Sequence, residues 1–153
     1  MNAGRRFALD SNVLVYAELE PKTDKGVRAQ RVIGAGAPHD VIAVQALLEF
    51  IAVIKRRRPE SLPSAMLKVS AFASVFEIAP TTLDVASTAL ALVRDHKFQV
   101  WDAVIWTAAR NAGATIFLSE DLQDGFTLDG MRAVNPFALT EAELTTLLAS
   151  TLA

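Results

Sequence analysis

The chain has 153 residues, the usual size of one domain, and 52% of them are hydrophobic, enough to fill a core and too many for a disordered segment. It has no cysteine, which excludes disulfides, thiolate catalysis and cysteine–zinc sites and fits a reducing cytoplasm, and no apolar stretch is long enough to span a bilayer. The formal charge of −2 looks wrong for a nucleic-acid binder, but charge distribution outweighs the total.

The N-terminus, MNAGRRFALD, reaches an acid before a signal-peptide apolar region can form. Residues 6–10 (RFALD) read as a strand that turns into a short helix from Asn12. A second helix is predicted over about 24–34. DVIAV (40–44) reads as a buried strand, rich in β-branched residues. QALLEFIAVIKRRR follows as a helix stopped by Pro59. Apolar residues at helical spacing recur in SLPSAMLKVSAFASV, and FEIAP reads as a short strand. TLDVASTALALVRDHK is predicted helical, with Thr81 and Asp84 at capping-box-like spacing. VWDAVIWTAARNAG is a helix that Gly113 is placed to end. TIFL is a strand, SEDLQDGF a loop and MRAVNPF a last short strand. LTEAELTTLLASTL closes the chain as an amphipathic helix over about 140–152, with Thr140 and Glu143 spaced as a capping box. No linker or repeat divides residues 1–153, so a single domain is expected, its core spanning about 6–137.

Alternating strands and helices imply a parallel sheet covered by helices, with ligands bound at the carboxyl ends of the strands. Four acids fall at that edge. Asp10 ends the first strand, Asp121 follows TIFL, and Glu49 and Asp102 lie near the starts of their helices. Each also has an ordinary reading: Asp10 as a helix cap, Glu49 and Asp102 as first-turn acids complementing a helix dipole, Asp121 and Asp124 as solvated loop residues. Glu49 stands out, because its helix reads as largely buried and its neighbours at i±3 and i±4 are Ala46, Ala52, Val53 and Gln45. The two tryptophans, Trp101 and Trp106, read as packing beside Asp102.

Converging carboxylates repel, so some must protonate or a cation must bind. An all-oxygen donor set suits Mg²⁺ or Mn²⁺, and the natural chemistry of such a site is phosphodiester hydrolysis. Neutralising four carboxylates would leave a balance of +2 on the rest of the chain. His39 and His96 receive no role. Lys55, Arg56, Arg57 and Arg58 read first as a helix C-terminus complementing its dipole; the alternative is contact with an RNA backbone, against which the run's distance of about 13 Å from Glu49 along the helix speaks. Arg94, Lys97 and Arg110 are candidates for phosphate contact. The apolar stripes over 62–76 and 140–152 are explained mostly by core packing, with some excess that suits an interface.

Four pieces in order, LDSNVLVY, LLEF, VWDAVIWTAA and FLSEDLQDG, resemble the PIN-domain ribonucleases, and the layout over about 6–137 is similar to VapC-type toxins of toxin–antitoxin pairs. The resemblance implies an α/β fold with three α/β/α layers around a central, mostly parallel twisted sheet. It implies an endoribonuclease that cuts single-stranded RNA with Mg²⁺ or Mn²⁺, a homodimer, and a cognate antitoxin protein that blocks the site. Asp10, Glu49, Asp102 and Asp121 carry over as metal-binding catalytic acids. Asn12 and Ser119 carry over as supporting residues, and Asp124 remains beside Asp121 as an alternative fourth acid. Two other classes compete. One is a PIN-like RNA- or protein-binding module without efficient catalysis, against which the four acids speak. The other is a Mg²⁺-dependent phosphatase, against which LDSNV speaks, because it lacks a second acid two residues after the first.

Overall fold

A computed structural model describes residues 4–149. Six strands form one sheet in the order β3-β2-β1-β4-β6-β5. β1 (Phe7–Leu9), β2 (Val41–Ala43) and β4 (Ile116–Leu118) are buried at every residue. Strands that are apolar on both faces must be covered on both, which is why the centre of the sheet is parallel and layered with helices. The pairing is parallel from β3 (Glu77–Ala79) through β6 (Met131–Val134), with Leu9 opposite Leu118 and Leu118 opposite Val134. Only β5 (Thr127–Leu128) runs antiparallel, against β6. Residues 119–126 form the predicted loop, but β5 after it was not predicted. It pairs with β6 across a tight turn at Asp129 (φ 51°) and Gly130 (φ 84°). Two positive φ values are what a two-residue Asp-Gly hairpin requires.

Among the described residues seven helices accompany the strands: α1 (Ser11–Leu19), α2 (Asp24–Gly34), α3 (Val44–Arg57), α4 (Leu62–Val75), α5 (Leu83–His96), α6 (Val100–Asn111) and α7 (Glu141–Ala149) after the last strand. A 3₁₀ turn, Pro59–Ser61, separates α3 from α4, with Pro59 as the predicted stop. From β1 the chain steps outward through β2 to β3, then returns through α5 and α6 to place β4 on the other side of β1. The order therefore reverses between β1 and β4. A crevice opens at such a reversal, outside the carboxyl ends of the strands.

Local signals account for most helix ends. Thr23 caps α2 by accepting from the Gly26 amide at 3.1 Å. Gly26 has no alternative, since a Cβ there would sit 1.6 Å from the Glu20 carbonyl oxygen where α1 and α2 meet. Thr140 and Glu143 form the reciprocal capping box, both bonds 3.1 Å. The α5 cap is Thr82 rather than Thr81: its hydroxyl accepts from the Val85 amide at 3.2 Å, which puts Asp84 one position too early for a box. α7 is described to Ala149, and the rest of the predicted helix, 150–152, lies outside the described residues.

Three expectations about packing change. α3 is amphipathic rather than largely buried, with Ala46, Leu47, Phe50 and Ile54 inside and Leu48 exposed. In α4 only Ala65 is fully buried, while Met66 and Leu67 face solvent. The tryptophans separate. Trp106 is 1% exposed and packs on Phe98, Phe117 and Phe126, whereas Trp101 is exposed. No helix among the described residues is long and apolar enough to cross a membrane.

Candidate metal centre

The sheet ladder itself positions the first two residues of the site. The Asp10 amide donates to the Leu118 carbonyl at 3.0 Å, and the Ser119 amide to Val134 at 3.1 Å. Asp10 and Ser119 therefore leave β1 and β4 side by side at the reversal point. Asp10 is 2% exposed and Ser119 fully buried. The Ser119 hydroxyl donates to Asp10 Oδ2 at 2.7 Å, and the Ser11 amide donates to Oδ1 at 2.7 Å. Ser119 Oγ in turn accepts from the Asp121 amide at 3.0 Å, which bends the loop back over the strand end.

Asn12 ties the pieces together. Its Nδ2 donates to Ser119 Oγ at 3.1 Å and Asp121 Oδ2 at 3.2 Å, and lies 3.5 Å from Asp10 Oδ2. Its Oδ1 is buried without a partner. Asp102, in the first turn of α6, brings a half-buried carboxylate that accepts no hydrogen bond among the described residues. One carboxylate oxygen each from Asp10, Asp102 and Asp121 lies within 4.8 Å of the others.

Glu49 stands outside that trio. Half buried, it accepts from the Ser11 hydroxyl at 3.0 Å through Oε2. The remaining loop acids are committed elsewhere. Glu120 accepts from the Tyr16 hydroxyl and pairs with Lys25 at 2.9 Å. Asp124 Oδ1 accepts from the Asn135 amide at 2.8 Å. The structure thus brings together Asp10, Asp102 and Asp121 with Asn12 and Ser119, keeps Glu49 beside them, and places Asp124 apart.

Asp10 is buried, Asp102 and Glu49 are half buried and Asp121 is exposed, so desolvation and mutual repulsion act chiefly on the first three. Among the described residues no ion pair reaches Asp10, Glu49, Asp102 or Asp121. Loss of hydration pushes the Asp10 carboxyl up from 3.8 to about 7, against the Ser119 and Ser11 hydrogen bonds and with help from Asp102 and Asp121. Desolvation likewise raises Glu49, opposed by the Ser11 hydroxyl and reinforced by Asp102 and Asp121. Asp102 is raised by desolvation and then by Asp121. A cation would relieve all three. The donors fit a hard divalent ion: all are oxygens, and the buried Asn12 Oδ1 is one more without a partner.

The basic residues take other places. Lys55, Arg56 and Arg57 lie exposed in the last turn of α3, and Arg58 donates to the Leu19 carbonyl at 3.2 Å. Arg94 pairs with Asp95, and Arg110 donates to the Asp129 carbonyl. Both histidines are exposed. One buried acid escaped sequence reasoning. Asp40 is 1% exposed and accepts from the Phe7 amide at 3.0 Å and the Ala37 amide at 2.9 Å, at the opposite end of the sheet. A buried cation escaped it too: Arg28 donates to the carbonyls of Pro136 and Leu139 and pairs with Asp24 and Glu141.

The sequence model of the PIN-domain family matches residues 7–124. No curated protein matches the chain. Among solved structures, a toxin–antitoxin complex from Klebsiella pneumoniae superposes with a TM-score of 0.64 at 20% identity, over 84% of this chain and 96% of that one. VapC20 of Mycobacterium tuberculosis, a toxin that cleaves the sarcin–ricin loop, gives 0.62 at 15% identity, over 72% of this chain and 86% of its own. The DNA-bound VapBC of Salmonella typhimurium gives 0.61 at 17% identity, over 84% and 96%. At these identities the likeness is one of fold.

Proposed function

The chain belongs to the PIN-domain family, and on that premise we propose that it is a Mg²⁺- or Mn²⁺-dependent endoribonuclease acting on single-stranded RNA. The observation that carries the reading is the trio of carboxylate oxygens within 4.8 Å at the sheet's reversal point, with no cationic side chain paired to it among the described residues. Asp10, Asp102 and Asp121 would hold the ion, with Ser119 fixing the orientation of Asp10 and Asn12 that of Asp121. When bound, a divalent cation supplies positive charge that favours ionisation of an attacking water and neutralises charge developing on the scissile phosphate. Glu49 stands beside the trio with its pKa raised and with Oε1 free of hydrogen bonds, which suits that atom to accept the proton of the water. The attacking oxygen then forms a new bond to phosphorus as the bond to the ribose oxygen breaks, and the leaving oxygen takes up a proton from solvent.

In the cell this chain would be the toxin of a toxin–antitoxin pair, in the cytoplasm. The structures it resembles from Klebsiella and Salmonella are toxin–antitoxin complexes, which supports an antitoxin protein as partner. Exposed Met66, Leu67, Leu83 and Leu90 support pairing of two copies as a homodimer. The test uses purified protein and single-stranded RNA. Mn²⁺ or Mg²⁺ is expected to support cleavage and EDTA to stop it. Asp102→Asn is expected to cut at least about 100-fold more slowly with its melting temperature kept. Cleavage by Asp102→Asn at the wild-type rate would overturn the assignment.

A further inference from the structure

A cleft of about 360 Å³ opens against Asp102 and Asp121, and neither Glu49 nor Ser11 lines it. It lies between the α5–α6 connection and the loop after β4. Its volume falls in the range of small-molecule sites, roughly 300–1,000 Å³. Because two of the trio's acids form part of its wall, whatever fills it lies next to the reacting phosphate.

The chemistry of the wall is specific. Phe98 and Phe126 form an aromatic side, their centroids 5.5 Å apart. Both rest on buried Trp106, at 5.9 and 5.4 Å, so this side is backed by the core and cannot retreat. Both remain partly exposed. Around them stand Gln99, Gln123 and Lys97, all exposed. No hydrogen bond or ion pair among the described residues engages these three side chains.

Two of these residues also break local rules. Gln99 occupies the N-cap of α6, where Ser, Thr, Asp or Asn would add about 1 kcal/mol, and its side chain makes no cap bond. Lys97 follows α5 in the left-handed region at φ 58°, where Gly is the unstrained choice. Adjacent departures from local preference that open onto one cleft mark a site shaped for something other than stability.

We infer that the cleft holds the base of the nucleotide flanking the scissile phosphate. The base packs on Phe98 and Phe126. Gln99 and Gln123 read its hydrogen-bonding edge, and Lys97 contacts the adjoining phosphate. Unstacked RNA bases are bound in this way, by aromatic side chains and by polar groups on their edges. A carboxamide offers one donor and one acceptor side by side, and two of them at fixed positions select a base by the spacing of the groups on its edge. The inference rests on the nuclease reading and extends it to sequence preference.

The test is cleavage of a randomised single-stranded RNA pool with Mn²⁺, with cut sites read by sequencing. Wild type is expected to favour one base at one flanking position. Gln99→Ala combined with Gln123→Ala is expected to lower that preference about tenfold with the melting temperature kept. Lys97→Gly is expected to raise KM and to reduce the salt slope of RNA binding by about 0.7, with the melting temperature unchanged or higher. Cleavage by the double variant with the wild-type sequence profile overturns this inference and leaves the nuclease reading standing. A wild-type protein that cuts no RNA in the pool overturns both.

Discussion

Replacing Asp10 by Asn should stabilise the metal-free protein at pH 8 while abolishing its cleavage of RNA. In the unfolded chain this carboxyl ionises near 3.8, and in the fold near 7. Between those values the folded state binds more protons than the unfolded one, so stability falls as pH rises. The cost is absent below about pH 4 and fully present above about pH 7. The gap, at about 1.36 kcal/mol per pH unit, is about 4 kcal/mol. Asn removes that cost at a smaller one. Its Nδ2 replaces the oxygen that accepts from Ser119, whose Oγ already accepts from Asn12 and Asp121, so the Ser119 proton loses its acceptor. Such a loss is worth about 1–2 kcal/mol. The net gain is about 2 kcal/mol, or about 4–8 °C in melting temperature for a chain of this size. The assay is thermal unfolding from pH 5 to pH 8 in EDTA. Wild type should lose stability across that range, Asp10→Asn should lose less, and added Mn²⁺ should raise only the wild type. An Asp10→Asn protein that melts at or below wild type at pH 8 in EDTA would refute the reasoning.

Two further substitutions probe the scaffold. Asp40→Asn should destabilise by about 1–3 kcal/mol at pH 7, because an amide nitrogen would face either the Phe7 or the Ala37 N–H; denaturant unfolding measures this. Arg28→Ala should cost about 2 kcal/mol by leaving the Pro136 and Leu139 carbonyls without their donor, seen as a melting temperature about 4–8 °C lower with unchanged kcat at low temperature.

Much of this architecture is legible along the chain because its signals are local. The span of α2, the Thr140–Glu143 box and the short apolar strands each depend on residues a few positions apart. What was not legible depends on distance or on backbone angles. Thr81 and Thr82 are equivalent on paper, and only the extended backbone at Thr82 makes it the cap. Trp101 and Trp106 are five residues apart, about 140° around a helix, so they cannot share a face, and one is exposed while the other is buried. β5 is two residues long, too short for periodicity, although Asp129-Gly130 between Leu128 and Met131 was a readable hairpin signal. Within the site, chain order places Asp10 and Asp121 at one sheet edge. It does not distinguish Asp121 from its loop neighbours, because Glu120 is drawn to Lys25 and Asp124 to Asn135 by contacts remote in sequence.

Asp40 shows why burial of an acid is a weak signal by itself. It is as inaccessible as Asp10 and flanks the same sheet, yet two backbone amides from separate segments meet both of its oxygens. Its charge is compensated by the scaffold, at the end of the sheet opposite the crevice. Asp10 also has two good donors, but they compensate one carboxylate in a space that holds three. Asp102 has no donor among the described residues, and Asn12 reaches only one oxygen of Asp121. The distinguishing property is therefore charge left over after every local donor is counted. By that criterion Asp40, Glu120 and Asp124 drop out, each with a partner of its own. Asp10 and Asp102 remain, with Glu49 and the exposed Asp121 beside them, as a group of carboxylates that no cationic side chain among the described residues neutralises.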